Sequence, residues 1–320
     1  MAYPPPADNT RFEPFNITNH PYKVVNGQEI DLNVLIPKNI HTGKRPIIIH
    51  FHGGFLISGD AMFPDWAASW ALNYQLQHSA IRISANYRLL PESNGLEILS
   101  DVRDLLDWVQ NDLAAYLKRI GSDITPDLDQ VIVYGESAGG YISLLSGLMK
   151  PQFIKAVIAA YPMTYIDSDW YSKASTDKSP FGTPQLPRKI LDDHIAAIKP
   201  GSIVTKATPP ARLPLGMVAL QQGLFGELIG SDESLRLEKV LVKKSAGEKM
   251  PYLYIFHGKG DSAVPCEQSE QFLKEWKAKF GEDSAIGEFQ EGEHGFDGES
   301  SLEDEWMQRG LTGVTKAWIG

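Results

Sequence analysis

The stretch that most constrains this chain runs from Gln130 to Met149, QVIVYGESAGGYISLLSGLM. A β-rich run, Val131 to Tyr134, meets Gly135-Glu136-Ser137-Ala138-Gly139, and a helix-compatible segment follows at once. Passing from strand to helix within so few residues forces the central residue into a strained backbone conformation. A Cβ two positions before or after it would clash, which accounts for glycine at 135 and 139. G-x-S-x-G between a strand and a helix is the pattern of a nucleophile elbow. It lifts the Ser137 hydroxyl above a sheet edge, with the free N–H groups of a helix N-terminus beneath it. Ser137 is the candidate nucleophile.

The elbow needs a sheet, and the rest of the chain supplies one. Tyr22, Val24 and Val25, an Asn26-Gly27 turn, and alternating Ile30, Leu32, Val34 and Ile36 predict a hairpin. A polar link, Lys38 to Arg45, leads to Pro46–Phe51, a continuous apolar run that predicts a buried strand. Ile81–Ala85, Phe153–Tyr161 and Pro251–Phe256 predict further strands, with a weaker one at Ala285–Gln290. Apolar spacing predicts helices around Trp66–Leu76, over Leu96–Leu117, around Phe272–Phe280 and over Ser301–Ile319. Strands alternating with amphipathic helices give an α/β fold, a mostly parallel sheet covered on both faces. Residues 162–249 break the alternation, are rich in proline and carry Trp170, Tyr171, Phe181 and Phe225. The expected organisation is therefore an N-terminal arm and hairpin over 1–45, a core over 46–161, an insertion over 162–249 and a second core segment over 250–320.

Charge and cysteine usage narrow the function classes. A net charge of −10 and a pI near 5.3 argue against nucleic-acid or anionic-membrane partners, which need a basic face. A single cysteine, Cys266, rules out intrachain disulfides and any cysteine-based metal cluster. The start, MAYPPPADNT, has neither the basic nor the apolar region of a signal peptide, and no apolar run is long enough for a transmembrane segment. A cytoplasmic protein is the expectation.

A serine nucleophile needs a base, an acid that orients the base, and N–H donors for the oxyanion. Behind an elbow of this kind the acid and then the histidine follow the serine along the chain. Three histidines lie downstream: His194 in the insertion, His257 at a strand end, and His294 in the glycine-flanked loop Glu291–Phe296 after the last strand. His294 is the expected base, and His257 is expected to pack at its strand end. Asp261 is the expected acid, because its turn leaves the carboxyl end of a strand, where open α/β sheets place their sites. Asp283 falls at the opposite sheet edge, and Glu291 and Glu293 lie too close along the chain to His294. The Phe51-His52-Gly53-Gly54-Phe55 segment offers backbone N–H groups at Gly53 and Gly54, joined by that of Ala138. No metal-site spacing occurs, and no cofactor is expected.

Together, His52-Gly53-Gly54, Tyr87–Glu92, Gly135–Gly140, Gly258-Lys259-Gly260-Asp261 and His294-Gly295-Phe296 resemble the hormone-sensitive-lipase-like group of α/β-hydrolase carboxylesterases. The motifs occur in the expected order from about residue 47 to 300. The chain departs from the family pattern at Phe55, where a third glycine is usual, and at Glu136, where aspartate is common. The resemblance implies the α/β-hydrolase fold with a helical cap built from the N-terminal arm and the 162–249 insertion. It also implies a serine esterase acting on small to medium apolar acyl groups, with a small-molecule ester as partner and a homodimer as an open option. Arg88 is expected in an ion pair rather than on substrate. Rival readings are amide, formamide or thioester hydrolysis, cyclisation or elimination in secondary metabolism, and a non-catalytic receptor like the gibberellin receptors. Those receptors lack the histidine that this chain keeps at 294.

Overall fold

A computed structural model describes residues 9–320; the first eight residues of the expected arm lie outside the described residues. Eight strands form one sheet in the order β1-β2-β4-β3-β5-β6-β7-β8. They are β1 (Phe15–Val25), β2 (Gln28–Pro37), β3 (Thr42–Phe51), β4 (Ile81–Ala85), β5 (Asp123–Glu136), β6 (Ile154–Ala160), β7 (Tyr252–Gly258) and β8 (Ala285–Gln290). β1 pairs antiparallel with β2, and β2 antiparallel with β4; every later pairing is parallel. The β1–β2 hairpin turns at Asn26 and Gly27 with φ of 50° and 76°, the left-handed pair that a two-residue hairpin loop requires.

Helices cover both faces. They are α1 (Ser69–Gln77), α2 (Gly95–Asn111), α3 (Leu113–Arg119), α4 (Ala138–Met149), α5 (Asp169–Ser172), α6 (Lys189–Ala197), α7 (Leu213–Gln221), α8 (Phe225–Ile229), α9 (Leu237–Lys243), α10 (Cys266–Phe280) and α11 (Glu305–Ile319). Alternation along the strands sorts the core into two layers. Ile47, Ile49, Val131, Val133 and Ile255 pack with α2, α3, α4 and α10 on one face. Ile48, Ile132, Tyr134, Ile158 and Phe256 face Trp70 of α1 and Met307, Leu311, Val314 and Trp318 of α11 on the other.

The structure departs from the periodicity in three places. β3 begins at Thr42, inside the expected polar link, because Thr42–Arg45 pairs with Asp123–Pro126 of a long β5. The register shifts between Arg45 and Ile47, where Pro46 has no N–H for the ladder. The helix expected over Leu96–Leu117 is interrupted at Asp112, after Gln110-Asn111, where asparagine and aspartate compete with the helical backbone. α11 begins at Glu305, four residues later than the apolar spacing predicts.

Arg88 does form an ion pair. Its Nε meets the buried Asp101 at 2.9 Å and its Nη1 meets Glu97 at 3.0 Å, so the Tyr87–Glu92 segment is bolted to α2. Glu92 in turn takes Arg212 at 2.6 Å and His194 at 2.8 Å, joining that segment to the helices between β6 and β7.

Candidate active site

Ser137 stands between β5 and α4 with φ 57° and ψ −116°, a backbone state that a side-chain-bearing residue holds only under constraint. The constraint is visible around it. Its N–H donates to Ala160 O at 2.9 Å, and its carbonyl accepts Met163 N–H at 3.1 Å. A Cβ on Gly139 would lie 2.0 Å from Phe51 O, and one on Gly135 would lie 2.3 Å from Gly139 O. Glycine at both positions is what lets the elbow seat itself on the β3 end.

The loop after β3 closes on the elbow from that side. A Cβ on Gly53 would lie 3.3 Å from Ser137 Cβ, so the His52-Gly53-Gly54 backbone runs directly beside the serine. Gly53 N–H donates to Glu136 Oε1 at 3.0 Å, while Glu136 Oε2 lies 3.1 Å from His50 Nε2. This departs from the expectation at Gly53: its N–H is already held by the carboxylate one residue before the serine. Among the described residues, the N–H groups of Gly54, Phe55 and Ala138 donate to no protein group. Burial pushes Glu136 up to about 7, opposed by the Gly53 N–H, and burial holds His50 well below its ordinary value. His52 stacks on Tyr87 with ring centres 4.4 Å apart and is lowered to about 4 by burial.

Asp261 and His294 meet on the loops after β7 and β8. Asp261 Oδ2 lies 2.6 Å from His294 Nδ1, and Oδ1 accepts the N–H groups of Ala263 and Val264, each at 2.8 Å. Burial alone would raise this carboxyl. The charge of His294 and the hydrogen bonds from His257 and His294 outweigh it and hold Asp261 well below the usual carboxylate range. Asp283 precedes β8, at the opposite sheet edge, as its position along the chain predicts.

Several contributors are not singled out by the sequence. His257 does end β7 and is fully buried, but it also reaches Asp261 Oδ2 with Nε2 at 2.9 Å. Its spacing of four residues from Asp261 across a glycine turn was the available signal. Glu293 ties the two loops together, accepting Ser262 N–H at 2.6 Å and the N–H of His294 at 2.7 Å. Ser262 Oγ accepts the N–H of Phe181, whose ring meets the His294 ring edge-on at 5.7 Å. Tyr161 packs on the same imidazole at 4.6 Å. These contacts depend on three-dimensional closure and leave no trace in spacing. Of the four aromatics in the insertion, Tyr171 and Phe225 are buried core residues, while Trp170 and Phe181 are half-buried against that core. Among the described residues no cluster of three His, Cys, Asp or Glu side chains could hold a metal ion, and no helix is long and apolar enough to cross a membrane.

The arrangement has recognisable relatives. The family model for the alpha/beta hydrolase fold matches residues 48–204 of this chain, from β3 through the elbow and into the segment after β6. Over 317 residues the chain is 28% identical to "Probable carboxylesterase M8" of Phoma sp., covering 97% of this chain and 98% of that protein. It has the α/β-hydrolase fold and is a carboxylesterase-like hydrolase. This hydrolase is also 29% identical over 203 residues to "Probable carboxylesterase clz11" of Cochliobolus lunatus, across 62% of this chain and 92% of that one. A third relative is the non-reducing polyketide synthase atr1 of Stereocaulon alpinum, 25% identical over 290 residues, which is 82% of this chain and 11% of the synthase. Among solved structures, an esterase from Pyrobaculum calidifontis superposes with a TM-score of 0.61 at 17% identity, covering 95% of this hydrolase and 86% of that chain. A likeness at such identity speaks for the shared fold alone.

Proposed function

We propose that this hydrolase cleaves carboxylic esters of small to medium apolar acids through an acyl-enzyme, with Ser137 as nucleophile, His294 as base and Asp261 as orienting acid. The observation that carries the reading is the 2.6 Å contact of Asp261 with His294 Nδ1, on loops that follow β7 and β8 at the same sheet edge as the strained Ser137. With Nδ1 engaged by an ionised carboxylate, the ring offers Nε2 to take the serine proton. The serine oxygen attacks the acyl carbon, and the tetrahedral oxyanion is met by the N–H groups of Gly54, Phe55 and Ala138. Gly53 serves instead as the strut that Glu136 holds in place. His294 then gives its proton to the leaving alcohol, and a water, deprotonated by the same ring, releases the acid.

The segment over 162–249, with the N-terminal arm, is read as a cap over this site. Its aromatic content favours apolar acyl groups, and Phe181 is the cap side chain that faces His294. The test is kcat/KM across p-nitrophenyl esters from acetate to palmitate. Each methylene that fits should add up to about 0.8 kcal/mol of binding until the chain meets the cap, so the optimum falls at or below hexanoate. An optimum at palmitate would show an open lipase groove instead.

A second reading has its own support. Relatives of this chain lie within polyketide synthases, so a polyketide acyl group held as a thioester is a natural alternative donor to the same serine. Matched oxygen esters and N-acetylcysteamine thioesters of one acyl group separate the two readings by their kcat/KM ratio.

A further inference from the structure

Asp261 Oδ2 is approached by two imidazoles, His294 Nδ1 at 2.6 Å and His257 Nε2 at 2.9 Å. The protonation of His257 follows from its other contacts. Its Nε2 also lies 3.0 Å from Val264 O, and a carbonyl and a carboxylate can only accept, so the proton sits on Nε2. In the neutral ring its Nδ1, 2.7 Å from Ser269 Oγ, accepts the serine hydroxyl. Ser269 and His257 are both fully buried, so no water competes for either nitrogen. Asp261 thus receives four donors, two backbone N–H groups on Oδ1 and two imidazoles on Oδ2. The two backbone donors already anchor the carboxylate. The additional donor falls on the oxygen that faces His294.

We propose that His257 is a positioning residue for the esterase reaction: its Nε2–H fixes the direction of Asp261 Oδ2 and divides that oxygen's charge between two imidazoles, which sets how tightly His294 holds its proton. This rests on the proposed roles of Asp261 and His294. A hydrogen bond to the charged form of an acid lowers its basicity, so a carboxylate shared in this way pulls less on the imidazolium beside it. His294 then releases its proton more readily to the leaving group. The other titratable groups facing the pair are Tyr171 of α5, Cys266 at the start of α10, Tyr161 after β6, and Glu293 beside His294. Burial holds both tyrosines well above their ordinary value and pushes the Cys266 thiol up to about 12, so none of the three ionises where an imidazole titrates. Glu293 is spent on Ser262 and on the His294 N–H.

The test compares wild type, His257→Phe and His257→Gln, with kcat and KM followed between about pH 5 and 9. His257→Phe should lower kcat by about 10–100-fold, the usual effect of losing a partner behind a reacting group, with KM within about threefold. The acid limb of kcat/KM should move to higher pH by about half a unit or more, because Asp261 then serves His294 alone. His257→Gln, whose amide can still donate to Oδ2, should recover most of the loss and return the limb. Equal losses in both variants, or an unmoved limb in a folded His257→Phe, would overturn the proposal. Histidine ¹⁵N NMR on the wild-type chain decides the matter even where the phenylalanine variant fails to fold. A proton on His257 Nε2 is expected, and a ring that carries its proton on Nδ1 alone overturns the proposal. A wild type inactive on every ester would strike the proposed function instead, and the His294 ring titration, read by the same NMR in wild type and His257→Gln, still tests this inference.

Discussion

The carboxylate of Glu136 accepts the N–H of Gly53 at 3.0 Å, so the residue before the candidate nucleophile holds the loop that flanks it. Its second oxygen meets His50 Nε2, and His50 Nδ1 lies 2.7 Å from Ser84 Oγ, which makes a buried relay beneath the elbow. Protonated or not, the acid can keep Gly53 on one oxygen, because the His50 ring can exchange its tautomer against Ser84.

The pH dependence of stability follows from that burial. Glu136 is raised from 4.5 to about 7 on folding, so between those values the folded state binds more protons than the unfolded one. Stability contributed by this group therefore falls as pH rises from about 4.5 to about 7, by roughly 3 kcal/mol at most. Glu136→Gln keeps an acceptor for Gly53 and removes the ionisation. Urea unfolding at pH 5 and pH 8 should show the variant gaining on wild type at the higher pH. An identical pH slope in both proteins would contradict the buried, proton-binding carboxyl.

Breaking the Arg88–Asp101 pair tests the structural reading of the Tyr87–Glu92 segment. Asp101 is completely buried, so Arg88→Ala leaves a desolvated carboxylate short of its main partner, a change that typically costs about 3–5 kcal/mol. Lys23, at 2.8 Å from Asp101, offsets part of this. The unfolding midpoint should drop sharply while kcat/KM of the folded fraction stays within about threefold. A large loss of kcat/KM with unchanged stability would place Arg88 on the substrate.

The aromatics of the 162–249 segment should separate into two classes. Phe225 is fully buried and packs edge-on against Tyr171 at 5.7 Å, so Phe225→Ala should destabilise the fold by about 3–5 kcal/mol. Phe181 is half-buried and touches His294, so Phe181→Ala should shift the ester chain-length optimum upward with a smaller change in stability. Chain-length profiles that coincide for wild type and Phe181→Ala would reduce that ring to packing.

How much of this was readable in the sequence depends on the range of the interaction. The elbow was legible because its glycines answer a local clash, and the strand runs were legible because burial on both faces leaves a continuous apolar string. The order serine, acid, histidine along the chain singled out Asp261 and His294, which the structure brings to 2.6 Å of each other. The Thr42–Arg45 strand was hidden because its polar residues gain their place from pairing with β5 and not from burial. The engagement of Gly53 by Glu136 was hidden for a similar reason: the partners are 83 positions apart, and only the closed sheet puts a side chain at 136 beside a backbone at 53. The sequence predicts that His257 packs at its strand end, and it is buried there; its bond to Asp261 depends on the turn between them in three dimensions.

The most direct measurement is the turnover of Ser137→Ala on a short p-nitrophenyl ester, beside a circular-dichroism check that the variant is folded. With the candidate nucleophile removed and the candidate N–H donors left in place, kcat/KM should fall by about four to six orders of magnitude, leaving only the residual catalysis of binding and the proposed oxyanion site. A folded variant that turns over within tenfold of wild type would contradict Ser137 as the nucleophile.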